Sequence, residues 1–501
     1  MHSATKDSAP LSPELADGSG NSDNKPDHAL SESRAAVAVG LIAAGLRAIW
    51  VLLAARAPVG LSDPFVYLSA AASLSEGNGY TSLLGRSTAY YPPGYPMFVA
   101  AVQRVSEFIG QGPRLILILG LAQAVLGGVG AAALVIAGNR LRPGAWLGVV
   151  AGLLFAFWPN LIIHSGLVLS ESLYLSAFCV LLAALCVWTC KSGATTRNNT
   201  VMVISILLGA TALCTLVRPQ SVAVLLPAAG LGWLLGGLGW RVALRGVALL
   251  VLGMLIAILP WTLRNALVMK AFVPMSTNTG DNFCIGFHDG ATGGFSIAAA
   301  CATSGNYTDG PEIEVARDGE LRARSLRWIA EHPGEIPALS FQKLQITMSH
   351  DADAVFAFES YGADAHLSNS ERSLLNWVSN IYYWAVSLLA LVGAALILRD
   401  WRAANKSTVN KSTANKSSVN KSSALLRQTS FGLVLVGICM FGALLPVLFF
   451  GHERFKIPIL PCVALLAALT LHSFFKRNPG GGTHEAQRDV ATESAEQETR
   501  Q

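Results

Sequence analysis

The chain has 501 residues, of which 52% are hydrophobic and 13% charged, with a formal net charge of +5 and a mean hydropathy of +0.46. An average soluble protein carries roughly 25% charged residues. One aqueous core cannot enclose this much apolar sequence and a bilayer can, so a single soluble globule is excluded. The positive charge is small and spread along the chain, which gives no footprint for nucleic acid and fits cytoplasmic-loop bias instead.

Residues 1–34 are rich in Ser, Asp and Pro, with no basic n-region and no apolar stretch at the start; they read as a disordered cytoplasmic tail and not as a signal peptide. Stretches apolar and long enough to span, roughly 17–25 residues, follow at 36–55, 115–138, 144–163, 168–190, 200–217, 220–238, 243–260, 376–398, 429–450 and 457–475. The expected fold is therefore an all-α polytopic membrane protein with about ten transmembrane helices. Residues 94–110 are also apolar, but short and interrupted by Arg104 and Glu107, and read as an interfacial helix. With both termini inside, ten spans bring Arg140, Arg142, Arg241, Arg245, Arg399 and Lys476 to cytoplasmic ends. That satisfies the positive-inside rule; an eleventh span at 94–110 would expel Arg140 and Arg142.

The chain then divides into the tail 1–34, a membrane domain 35–398 with outer loops 56–114 and 261–375, a linker 399–427, the last two helices within 428–476, and a cytoplasmic tail 477–501. The linker holds the low-complexity array NKSTVNKSTANKSSVNKSSA. Its Asn-Lys-Ser triplets match a glycosylation acceptor, yet face the cytosol in this topology and read as accidental. Of eight cysteines, six lie in or beside apolar runs, where cysteine acts as a small hydrophobe. Cys284 and Cys301 fall in a polar outer loop; they pair if it faces an oxidising compartment and are free thiols otherwise.

The candidate chemistry sits at outer helix ends. Ser62-Asp63-Pro64 reads as a helix start with Asp63 as N-cap and Pro64 at N1, and Tyr67 shares the face of Asp63; capping and catalysis both fit this carboxylate. Gly77, Gly79 and the Tyr90–Pro96 run bend the chain back along the membrane surface. WPNLIIHSGLVLSES sets His164 and Glu171 at the outer boundary, where a carboxylate is either functional or a helix cap. LVRPQ adds Arg218, PWTLRN adds Arg264, and HERFKIP adds His452, Glu453, Arg454 and Lys456, with snorkelling cations as the plain reading for each segment. Together, carboxylates and arginines at headgroup level suit a reaction on a lipid-linked phosphate: arginine forks bind phosphate, and a carboxylate acts as base toward a hydroxyl.

In order, SDPFVYLSAAASLSEGNGY, YYPPGYPMFVA, PNLIIHSGLVLSESLY, LVRPQ, PWTLRN with STNTGDNFCIG, EHPGEIP and ERFKIPILP resemble the bacterial GT-C glycosyltransferases, in the branch related to protein O-mannosyltransferases and lipid A aminoarabinose transferases. The likeness runs from about residue 36 to 475. It implies a GT-C-like fold in the inner membrane with two extracytoplasmic loops bearing interfacial helices. It also implies a sugar donor on a polyprenyl phosphate, a periplasmic active site and inverting transfer to a lipid, glycan or protein acceptor. By this resemblance Asp63 is the general base and Glu171 a second catalytic acidic position. Arg264, Arg454 and Arg218 are donor-phosphate ligands, and Tyr67, Tyr90, His164 and His452 are cleft candidates. Many relatives carry a second acidic residue beside the aspartate, whereas Ser62 and Pro64 flank Asp63 here, which leaves acceptor type and metal open. A phosphate is already a good leaving group, so no cofactor is expected and no metal ligand is assigned.

Two other classes compete. A multi-span transporter or lipid flippase requires internal repeats, paired broken helices and mid-membrane charges, and a non-catalytic scaffold requires Asp63 and Glu171 to be dispensable. The charges here keep to helix ends and outer loops, which favours the transferase.

Overall fold

The computed structural model describes residues 25–143, 146–190, 196–296, 298–409 and 416–477. Its regular elements are helices; the only β pairing among the described residues is two isolated bridges, Thr81 with Ser87 and Gly294 with Gly451. Among the described residues, eight helical segments are long and apolar enough to cross a membrane: Ser31–Ala54, Gly112–Leu141, Glu171–Thr189, Arg197–Val217, Trp240–Val268, Asn369–Lys406, Ser423–Leu448 and Glu453–Phe475. The other two stretches expected to span form shorter helices, Leu147–Ala156 and the helix that includes Val222–Leu235.

In chain order, α1 (Lys25–Ala54) leads into the segment 56–114 with α2 (Asp63–Ser75) and α3 (Gly94–Phe108). The α3 helix covers the segment read as interfacial, and it is not among the spanning helices. Next come α4 (Leu115–Leu141), α5 (Leu147–Ala156), α6 (Pro159–His164), α7 (Glu171–Thr189), α8 (Arg197–Val217), α9 (Pro219–Leu235) and α10 (Trp240–Val268). The segment 261–375 holds α11 (Thr279–Gly286), α12 (Pro311–Glu331), α13 (Ile336–Ser349) and α14 (Asp353–Phe358), followed by α15 (Asn369–Val409), α16 (Lys416–Leu448) and α17 (Leu460–Arg477).

The stretch 144–163 is not one helix, for a local reason. Pro159 has no N–H to give to the carbonyl of Phe155, so α5 stops at Ala156 and α6 starts afresh with its proline in the first turn. The freed carbonyls would be costly at bilayer depth. Arg47 of α1 takes them up: its guanidinium donates to Phe155 O and Ala156 O, each at 3.1 Å, and to Ala43 O at 3.2 Å. Small residues let α1 and α4 approach closely enough for this. A Cβ on Gly128 would lie 2.6 Å from the carbonyl oxygen of Gly40, and one on Gly127 would lie 2.4 Å from Arg47 Cδ.

Two sequence expectations need adjusting. The α1 helix begins at Lys25, inside the segment read as tail, while residues 1–24 and the tail from 478 onward lie outside the described residues. The α15 and α16 helices enter the NKST array from both sides, up to Val409 and from Lys416. The array contains no Gly or Pro, and a membrane helix already nucleated extends into polar residues at little cost.

The segments 56–114 and 261–375 fold onto each other. Val59 N donates to Ser360 Oγ at 3.0 Å, Arg86 Nη1 to Asp309 O at 2.7 Å, and Arg56 pairs with Asp364. Glu314 of α12 accepts from Thr88 Oγ1 at 2.6 Å, Ala89 N at 2.8 Å and Thr277 Oγ1 at 2.5 Å. Cys284 and Cys301 form a disulfide with Cα atoms 5.8 Å apart, which settles the open choice between pairing and free thiols.

Candidate active site

Asp63 is the first residue of α2, not its N-cap; that place belongs to Ser62, whose carbonyl accepts from Phe65 N and Val66 N. The carboxylate is thereby released from the capping role and turns to tertiary partners. Oδ1 accepts from Tyr91 Oη at 2.6 Å, and Oδ2 from Arg454 Nη1 at 2.9 Å. Burial, followed by the charge of Asp63, pushes the Tyr91 hydroxyl well above its ordinary range, so it keeps its proton as donor. The Asp63 side chain remains 31% exposed.

Behind Asp63 lies Glu171 at the start of α7, with its side chain wholly buried. Its Oε1 bridges two guanidiniums, accepting from Arg454 Nε at 2.6 Å and Arg218 Nη2 at 2.5 Å. Arg218 sits at the α8–α9 junction, where Pro219 forces a new helix start, and also donates to Ser170 Oγ at 3.2 Å through Nε and Nη2. Glu171 Oε2 has no hydrogen-bond partner among the described residues. Asp63, Arg454, Glu171 and Arg218 thus form one chain of alternating charge from the open surface to the buried interior. Nη2 of Arg454 and Nη1 of Arg218 take no part in these bonds.

His164 and His452 sit around a second cluster. His164 Nε2 lies 3.1 Å from Asp353 Oδ2, and Asn160 Nδ2 binds Asp353 Oδ1 at 2.8 Å and Asp351 Oδ1 at 3.1 Å. Trp158 Nε1 donates to Asp351 Oδ2 at 2.7 Å, and Lys456 Nζ stands 3.3 Å from Asp351 Oδ1. Burial pushes the Asp353 carboxyl up, but the charge and hydrogen bond of His164, with Lys456 and Asn160, outweigh it and hold the group well below the carboxylate range. His452 links the clusters: its Nδ1 accepts from Arg454 N at 3.2 Å, and burial, helped by Arg454, lowers its pKa and favours the neutral ring. Beyond His452 lies a cavity of about 540 Å³ lined by Asp353, Glu453, Phe295, Ile346 and Phe356 among others; Asp63 is not one of its lining residues.

Tyr67 and Tyr90 both pack against Tyr91. Tyr67 is buried, its ring centroid 5.1 Å from those of Tyr91 and Tyr95. Tyr90 donates to Asp281 Oδ2 at 3.0 Å and stacks on Tyr307 at 3.9 Å, while Arg317 pairs with the same Asp281. Arg264 is not brought to Arg454 and Arg218: its Nη1 donates to Thr88 O at 2.7 Å and its Nη2 to Tyr80 O at 2.9 Å. The residues that sequence reasoning missed are Tyr91, Asp351, Asp353, Asp281 and Arg317; Lys456 was named with the HERFKIP charges but not placed in the site. For Tyr91 the signal was present in the Tyr-Tyr-Pro-Pro bend; the aspartates offered none in a polar loop. Among the described residues, no group of three or more His, Cys, Asp or Glu side chains is arranged to hold a metal ion.

No family model and no curated protein matches the sequence. Solved structures similar to the chain include ArnT from Cupriavidus metallidurans bound to undecaprenyl phosphate, at 16% identity and a TM-score of 0.36, covering 90% of this chain and 78% of that one. The same protein in the apo state is similar at 15% identity and a TM-score of 0.35, covering 89% and 78%. At these values the likeness carries no argument about residues, and the site stands on its own geometry.

Proposed function

We propose that this chain is an integral-membrane glycosyltransferase that moves a sugar from a polyprenyl-phosphate donor to an envelope acceptor at the outer face of the bacterial inner membrane. The supporting observation is the Asp63–Arg454–Glu171–Arg218 chain, which puts a half-open carboxylate beside two arginines with N–H groups to spare. An acceptor hydroxyl oxygen bonds to the anomeric carbon while the bond from that carbon to the phosphate oxygen breaks. The hydroxyl proton passes to Asp63, and the leaving phosphate carries the bonding electron pair toward Arg454 and Arg218. Direct displacement inverts the anomeric centre. Glu171 holds both guanidiniums in place, so their charge is preorganised where the leaving group develops its own.

The outer placement draws support from the Cys284–Cys301 disulfide, since such bonds persist in oxidising compartments. Both termini then lie in the cytoplasm. The test is transfer from isolated polyprenyl-phosphate sugars to an envelope extract by the wild type and Asp63→Asn in matched detergent preparations. Transfer by the wild type that vanishes in a folded Asp63→Asn is expected. Equal transfer by both removes Asp63 from the mechanism, and no transfer with any donor overturns the enzyme class.

A further inference from the structure

Arg264 stands at the outer end of α10 with its fork already filled. Besides Thr88 O and Tyr80 O, its Nη1 reaches Asn265 Oδ1 at 3.0 Å, and the guanidinium lies 4.9 Å from the Trp261 ring centroid. A phosphate would have to displace carbonyls from both sides of the 80–88 turn. Those two carbonyls belong to residues that also bond to each other, Thr88 N to Tyr80 O at 3.2 Å, so the arginine closes the turn like a clasp.

The clasp leads to the base. Tyr80 packs edge-on against Trp261, with centroids 5.3 Å apart, and its hydroxyl donates to Tyr91 O at 3.1 Å. Tyr91 in turn donates to Asp63 Oδ1. With Arg454 on Oδ2, two donors on two oxygens fix the plane of the carboxylate. We infer that Tyr91 is a positioning residue for Asp63, and that Arg264 acts on the reaction through Tyr80 and Tyr91 instead of touching the donor phosphate. This extends the reading of Asp63 as the base given above.

The test uses the full-length protein in detergent and two readouts. One is labelling of Asp63 by a carboxyl-directed carbodiimide, quantified by peptide mass spectrometry; the other is the kcat and KM of transfer from whichever polyprenyl-phosphate sugar the wild type turns over. Tyr91→Phe is expected to raise Asp63 labelling about tenfold, the weight of one hydrogen bond to a charged group. It lowers kcat by a similar factor and leaves the donor KM unchanged. Arg264→Ala does the same, adds nothing in the Tyr91→Phe background, and is partly rescued by Arg264→Lys. If Arg264→Ala does not fold, Tyr80→Phe cuts the same chain one link later. Unchanged labelling in Tyr91→Phe overturns the positioning role, and a raised donor KM with unchanged labelling in Arg264→Ala returns that arginine to the phosphate. Labelling needs no substrate, so it decides the point even if no donor is turned over.

Discussion

The short segment from His452 to Ile459 feeds two charged clusters that differ in one respect. Lys456 enters the cluster of Asp351, Asp353, His164, Asn160 and Trp158, where both oxygens of both aspartates have partners and the Lys456 and Asp351 side chains are 0% exposed. Arg454, two residues earlier, enters the cluster of Asp63, Glu171 and Arg218, where one carboxylate is open to solvent and a buried Glu171 oxygen has no partner. The closed cluster ties the α5–α6 break to α14; its one buried side-chain atom without a partner among the described residues is His164 Nδ1, and its ion-paired side chains are all at most 4% exposed. The open cluster has unsatisfied capacity facing an accessible surface. What separates the two is therefore solvent access to a charged group, which Asp63 has and the buried pairs do not.

The largest effect that would break this contrast lies in the closed cluster. Lys456→Ala leaves Asp351 buried beside Asp353 with no cation, and removing one partner of a buried pair costs about 3–5 kcal/mol. Loss of the monodisperse folded protein in detergent size exclusion is expected, with a steep fall in thermal midpoint. Stability near that of the wild type would show the closed cluster to be dispensable and erase the distinction. In the open cluster the same kind of charge removal should act on rate: Asp63→Asn is expected to cut transfer roughly a hundred- to ten-thousand-fold while the thermal midpoint shifts little, because its side chain is partly solvated.

Much of the open cluster was legible in the sequence, because Asp63, Glu171, Arg218 and Arg454 are each charges at the edge of an apolar run, the positions from which all four side chains meet. Their pairing was not legible. Arg454 meets Asp63 across 391 residues and Glu171 across 283, and no local pattern encodes a contact of that range. For Arg264 the place at a helix end was legible but its partners were not, because the carbonyls it binds belong to a turn that packs against Trp261 and Glu314. The halved span at 144–163 had a visible signal in Trp-Pro, and its partner is Arg47, a buried charge inside the first span that departs from the expectation that charges keep to helix ends and outer loops. A buried arginine in a span asks for carbonyls or carboxylates, and a proline in another span supplies the carbonyls.

That pairing gives a smaller, sharper test of what closed clusters do. In Gly127→Ala the new Cβ meets Arg47 Cδ and Nε at 2.4 and 2.5 Å, so the guanidinium must shift from the Phe155 and Ala156 carbonyls. Overpacking of this kind costs about 1–3 kcal/mol. A lowered thermal midpoint with transfer activity per folded molecule retained is expected, since Arg47 is remote from Asp63. Loss of activity at full stability would mean that the two regions are coupled.

The smallest effect concerns the ion pair that pins the turn facing the open cluster. Glu359 accepts from Arg372 Nε at 2.6 Å and Nη2 at 2.9 Å, and from the backbone N–H groups of His366 and Leu367 at 2.9 Å. It anchors Ser360 and Tyr361, both at positive φ, 51° and 57°. The hydrogen bond from Arg372, ahead of the backbone donors, lowers the Glu359 carboxyl to about 2, against roughly 4.3 in an unfolded chain. A folded-state value below the unfolded one means that the unfolded chain takes up the proton first on acidification. The stabilisation from Glu359 is therefore fully present above about pH 4.3 and is lost as pH falls toward 2. Thermal midpoints measured across this window should fall more steeply for the wild type than for Glu359→Gln, and the two curves should differ by a constant above it. Parallel curves through the window would mean that the pair contributes no pH-dependent stability, leaving the Ser360–Tyr361 turn to be held by its packing and by the Val59 hydrogen bond to Ser360.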